Sequence, residues 1–356
     1  MNELRTTNKL LLIIVIPLVF YLLKLLSFIF IPLIFSMFIA LLFLPIMRWL
    51  NKKNVSKPIS IFIVILIFIG ALKIGGELIQ LTSKEILSAD NSFFQKAETK
   101  LEALLIGMED YLGIPYSKEE NIINNFIPKE SMMKNFGTTL DFIGNTVTMI
   151  LMTVFFVVLW LAESINVQKL MNNTILKQKH TSVKTFVKVE KDLIKFIKVK
   201  FLVSLFTGIG IGLACVFFDV SFPIFWGLFA FAINFVQMVG SIISVVLLAL
   251  FAFVELEPTS TLLFFVLSIT GVQVLFGSIL EPIFMGKSFS INIITVLVML
   301  MLWGYIWGVP GLIMAIPITV FIKIILEQFP QTRIIASLIS GNQPLKNNPP
   351  KKGSWL

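Results

Sequence analysis

Charge is what this chain has least of: Asp, Glu, Lys and Arg make up 14% of its 356 residues, against 57% apolar. Soluble domains carry about 25% charged residues, so an ordinary water-facing globule is excluded. Histidine and cysteine are each present once. His180 alone builds no multi-histidine metal site, and Cys215 alone allows neither an intrachain disulfide nor a thiol metal cluster. No G-x-x-x-x-G-K-[ST] run occurs, so ATP-driven work by this chain alone is not expected. The only His lies in a lysine-rich stretch and the only Cys in an apolar run, which leaves no Ser/His/Asp or Cys/His set. Catalytic residues, a metal and a cofactor are therefore not expected.

What is present is length in the apolar runs. A mean hydropathy of +0.93 and 35 phenylalanines place the chain among polytopic membrane proteins, with the lipid bilayer as its first partner. The net charge of +9 sits in short lysine clusters beside the apolar runs, with no basic face interleaved with aromatics. The positive-inside bias explains that placement, and nucleic acid is not needed to account for it.

The order of the runs predicts an all-α polytopic protein of about eight hydrophobic segments. Residues 1–76 hold three spans, at about 8–26, 29–47 and 58–76, with a tight turn between Ser27 and Pro32 and Lys24 snorkelling at the outer end. No small-residue cleavage site follows the first run, so it is expected to remain as a span. Arg48, Lys52, Lys53 and Lys57 mark the next loop as cytoplasmic. Residues 77–141 carry 6 Lys against 11 acids and read as an extracytoplasmic helical hairpin, with Gly113 and Pro115 ending one helix and Ser117–Glu120 opening the next. Residues 142–162 form a fourth span. Residues 163–198 read as a cytoplasmic basic amphipathic helix on the inner leaflet, since 163–200 holds 9 Lys and His180 against 3 acids. Its apolar side is Phe186, Val189, Leu193, Phe196 and Ile197, and His180 reads as a solvated loop residue. Residues 199–326 form a C-terminal core, where Gly208 and Gly212 make a small-xxx-small helix-packing pair. Residues 327–356 form a cytoplasmic tail whose lysines, Lys346, Lys351 and Lys352, keep it inside.

Two runs in that core, 222–254 and 291–326, are too long for one crossing. A crossing needs about 20 helical residues, whereas 33 would reach about 50 Å. The first is interrupted by Asn234, Gln237 and Gly240, the second by Gly304, Gly308, Pro310 and Gly311. Each could span once, or each could be a re-entrant hairpin of two short arms. The loop with Glu255 and Glu257 fits outside and the loop with Lys287 fits inside, which only hairpins allow. Unwound backbone at membrane depth persists where it lines a cavity, so paired broken helices point to a transport pathway.

Polar groups within or beside the runs are its expected lining: Asn234, Gln237, Ser241, Ser244, Gln273, Glu281 and Asn292, with Pro282, Gly286 and Lys287 in the loop after Glu281. Amides and hydroxyls suit a small polyol or hydroxy-ketone, and they also suit Na⁺. Alternatively they pair helix to helix. Glu281 is expected to pair with Lys287, to cap the helix near Pro282, or to couple a proton or cation. Trp226, Trp303 and Trp307 are either interfacial belt residues or cavity walls.

At these residues the chain resembles the autoinducer-2 exporter family. The resemblance covers roughly 10–330. It is carried by LEPIFMGKSFSIN at 280–292, WGYIWGVPGLIMAIPITVFIKII at 303–325, VKFLVSLFTGIGIGL at 199–213 and FWGLFAFAINFVQMVGSII at 225–243. One departure is Gln237, where family members usually carry a proline between the asparagine and the glycine of this segment. The resemblance implies a homo-oligomeric, pentameric secondary transporter of the bacterial inner membrane with both termini cytoplasmic. It implies export of the furanosyl signal autoinducer-2, while some relatives are Na⁺(Li⁺)/H⁺ antiporters. A non-transporting membrane scaffold is the third reading of the sequence.

Overall fold

The computed structural model describes residues 2–88, 96, 99–100, 148–163, 180–236, 239–257, 259–286, 291–329 and 332–340. These residues are helical with short turns, and no strand occurs among them. The helices are α1 (Asn2–Leu25), α2 (Ser27–Lys52), α3 (Lys57–Ser88), α4 (Thr148–Glu163), α5 (His180–Phe217), α6 (Pro223–Ile233), α7 (Val239–Glu255), α8 (Thr259–Met285), α9 (Ile293–Gln328) and α10 (Arg333–Ser340). Five of them are long and apolar enough to cross a membrane: α2, α3 as far as Lys84, α5 from Val187, α8 and α9. Gly113, Pro115 and the Ser117–Glu120 capping box lie outside the described residues.

The first turn is displaced from its expected place. Leu26 alone separates α1 from α2, while Pro32 sits buried inside α2. Proline is tolerated in a bilayer helix, where neighbours re-satisfy the freed carbonyl. Lys24 Nζ lies 3.8 Å from the centre of the Tyr305 ring on α9.

A second difference concerns the basic amphipathic segment. It is no separate element, because α5 runs unbroken from His180, which opens the helix, through the fifth span to Phe217. Leu193, Phe196 and Ile197 are buried, with Val189 packed beside them, in the core they share with α2 and α9. Periodicity correctly marks an apolar face, but that face is covered by protein. The exposed side of the same stretch is a lysine stripe, Lys188, Lys191, Lys195 and Lys198.

The two overlong runs fold as helical hairpins. In the first, α6 and α7 are antiparallel: a Cβ on Gly240 would overlap the Ile233 carbonyl, and Trp226 packs on Phe251 with ring centres 5.2 Å apart. At the base, the Ser221 N–H donates to Glu255 Oε2 at 2.8 Å, so both ends of the run lie together. At about 1.5 Å per residue, the 11-residue α6 reaches only ~16 Å, far short of a ~30 Å core.

In the second, α9 reverses at Gly308, whose φ of 63° and ψ of −138° belong to glycine. A Cβ on Gly311 would overlap the Trp303 carbonyl, and one on Gly304 would come 2.8 Å from Leu312 Cδ2. In an unbroken helix such pairs, eight residues apart, would be ~12 Å apart. The Asn292 N–H closes this base by donating to the Ile339 carbonyl of α10 at 2.9 Å.

A contact from the acidic region decides between the two topologies. Lys100 Nζ donates to the carbonyls of Phe253 and Leu256, at 2.6 and 3.0 Å, and sits 3.7 Å from Glu257. Plain spans would put this lysine and this loop on opposite sides of the membrane; hairpins put them on one. The opposite, basic end is marked by the Arg48–Glu190 ion pair between α2 and α5.

Candidate functional site

Helix α5 carries a polar stripe into the protein. Lys200, Ser204 and Thr207 recur at i, i+4 and i+7, and all three are buried, the lysine at 2% exposure. On one flank of the stripe, Gly208 and Gly212 press against Gly227 of α6; a Cβ on Gly208 would meet the Gly227 carbonyl oxygen at 2.6 Å. On the other flank α8 runs antiparallel, with Phe206 stacked on Phe276 and Gly210 against Val272. The stripe therefore faces the seam where the first hairpin and α8 meet on α5.

Most polar groups in that seam are joined across elements. Asn234, at the hairpin tip, donates through Nδ2 to Ser204 Oγ at 3.0 Å. Gln273 donates through Nε2 to Ser244 Oγ at 2.8 Å, and that hydroxyl donates to the Ser241 carbonyl. Both oxygens of Glu281 accept from Lys200 Nζ at 3.0 Å, with the two side chains 4% and 3% exposed. Gln273 Oε1 and Thr207 Oγ1 are buried without a partner among the described residues. Buried oxygens left unpaired cost free energy, and they are the acceptor capacity still open in the seam.

The backbone of α8 sets this arrangement. Residues Val274–Leu280 form a π-helical turn, a feature frequent at functional sites. Eight α-helical steps from Gln273 to Glu281 would leave them about 80° apart around the axis. One residue absorbed in the wider turn brings that to about 20°. Both side chains can then face the seam.

The expected site residues divide accordingly. Asn234, Gly240, Ser241, Gln273 and Glu281 gather at the seam; Gln237 and Lys287 lie outside the described residues. Among the described residues the partner of Glu281 is Lys200, and Glu281 caps no helix end, because the helix continues through it from the π-turn. Pro282 is exposed beside it, and Gly286 closes α8 with φ 80°, a Cβ there falling 3.8 Å from Lys195 Nζ.

Asn292 stands apart from the seam and caps α9, accepting from the Ile294 N–H at 3.2 Å. Trp303, Gly304, Trp307, Gly308, Pro310 and Gly311 build the tip of the second hairpin. Both tryptophans are buried with rings 4.8 Å apart, and Trp307 Nε1 donates to the Leu23 carbonyl. Trp226 is buried too, so none of the three is an interfacial belt residue. Val236, at the first tip, is buried in the same apolar core as this second tip.

Sequence reasoning missed Lys200. It was one of nine lysines in its segment, and the available signal was the helical spacing to Ser204 and Thr207 inside an otherwise apolar run.

The sequence is similar to those of known proteins. The family model described as AI-2E family transporter matches residues 10–331. A Haemophilus influenzae protein named as a candidate transport protein is 25% identical over 318 residues, covering 87% of this chain and 89% of its own. The AI-2 transport protein TqsA of Escherichia coli K12 is 25% identical over 321 residues, covering 85% and 87%. A Borreliella burgdorferi protein, also named as a candidate transport protein, is 31% identical over 154 residues, 43% of this chain and 42% of that protein.

Proposed function

The chain belongs to the AI-2E transporter family, and from that premise we propose that it exports a small, uncharged, hydroxyl-bearing solute of the autoinducer-2 kind by secondary transport. The observation that carries this reading is the composition of the seam. Amides and hydroxyls from α5, both arms of the first hairpin and α8 converge there, and the only charges in the seam among the described residues, Lys200 and Glu281, cancel each other. A neutral polyol or hydroxy-ketone can exchange hydrogen bonds with such a lining one at a time. A bare cation would meet a carboxylate already matched by an ammonium. The solute name itself is supported by one relative, the E. coli protein named for AI-2 transport. In this reading the protein lies in the bacterial inner membrane with both termini cytoplasmic. It works as a homo-oligomer, pentameric by family resemblance, whose scaffold lets the hairpins move.

Uptake of labelled autoinducer-2 into everted vesicles tests the proposal. The wild type should accumulate it, and Asn234→Leu and Gln273→Leu should each lose most of that uptake while still inserting. A second reading, Na⁺(Li⁺)/H⁺ antiport, draws on the buried Lys200–Glu281 pair, which an entering cation could part. Na⁺-dependent proton movement without solute uptake would select it. Neither activity would select a non-transporting scaffold.

A further inference from the structure

The geometry points to a binding site for the phosphate headgroup of an anionic membrane lipid, in the cleft between the end of α2 and the lysine stripe of α5. The cleft has a volume of about 300 Å³ and is lined by Pro45, Arg48, Trp49, Lys52, Lys191 and Ile194. Three cations face one carboxylate, Glu190, which pairs with Arg48, so the cleft carries a net charge of +2. Arg48 Nε is buried with no partner among the described residues, which leaves an inward guanidinium donor unused.

Depth selects a lipid over a soluble anion. The apolar run of α2 ends at Met47, one residue before Arg48, so the cleft opens where hydrocarbon gives way to headgroups. Trp49 is 55% exposed at that level, with Lys53 Nζ over its ring at 4.3 Å. Tryptophan favours this interface, because its ring is amphipathic. Pro45 and Ile194 supply an apolar wall for the glycerol and upper acyl chain. Basic pockets between membrane helices recognise anionic headgroups in this way. The site lies apart from the seam and stands whatever solute is carried.

Native mass spectrometry of the delipidated full chain tests it, with phosphatidylglycerol and phosphatidylcholine of identical acyl chains. Phosphatidylglycerol should bind in preference. Lys52→Gln combined with Lys191→Gln should cut that preference by about 30-fold, from the usual contribution of two basic side chains at a membrane surface. Lys52→Arg with Lys191→Arg should keep it, which separates lost charge from misfolding. Inorganic phosphate at millimolar concentration should not displace the bound lipid. Equal binding of the two lipids, an unchanged preference in the Gln pair, loss in the Arg pair, or displacement by phosphate would each overturn the assignment.

Discussion

Glu281 and Lys200 form the buried ion pair of the seam, and a single change there should disturb it most. Each is nearly fully buried, and each holds the other's charge. Removing one partner of such a pair strands the other and typically costs about 3–5 kcal/mol. Glu281→Gln should lower the thermal midpoint in detergent clearly and abolish coupled transport. Adding Lys200→Met should recover stability beyond either single variant, because no stranded charge remains, without restoring transport. Near-normal transport in Glu281→Gln would reduce the pair to a structural contact. Half of it was legible in the sequence, since a lone acid in the C-terminal apolar region is costly and invites a functional reading. Lys200 was legible only through its helical spacing to Ser204 and Thr207, since nothing in composition separates it from Lys195 and Lys198, both of which the helix turns outward.

At the scale of elements, both hairpins were readable as excess length around a polar or glycine-rich centre. The base-closing bonds from Ser221 and Asn292 required coordinates. The lone-residue joint at Leu26 left no mark, since no glycine or asparagine announces it. The amphipathic stretch of α5 shows a further limit, because helical spacing tells which face is apolar but not whether lipid or protein covers it. Two tests belong here. Gly308→Ala forces a side chain into a φ of 63° with ψ near −138°, a region essentially restricted to glycine. It should destabilise by about 1–3 kcal/mol and slow transport, read by thermal unfolding and vesicle flux. Deleting Gly277 should remove the residue that the π-turn absorbs, leaving seven α-helical steps from Gln273 to Glu281 and the carboxyl still about 20° from Gln273. The expected result is near-wild-type stability with the Lys200 pair kept. The stability loss of Glu281→Gln in this deletion would show that the π-turn does more than take up one residue.

The whole molecule has two chemically distinct ends, and their relation to the membrane follows from the hairpins. Arg48, Lys52 and the α5 lysines gather at one end. Lys100, Glu255 and Glu257 meet at the other, joined by the Lys100 contacts to the loop after α7. The first hairpin enters from that acidic end and returns to it, so α8 must cross in full to bring Gly286 beside Lys195. A pair of single-cysteine variants in a Cys215→Ser background tests this arrangement. Glu257, with its side chain 80% exposed, and Lys53, at the far end of α2, serve as labelling positions. An impermeant maleimide should reach Glu257→Cys only from outside intact cells and Lys53→Cys only in everted vesicles. Labelling of both from the same face is the outcome that plain spans require, because one further crossing would carry residue 257 to the side of residue 53. That result would dissolve the first hairpin as a re-entrant element, and with it the seam in which Asn234, Gln273 and Glu281 meet.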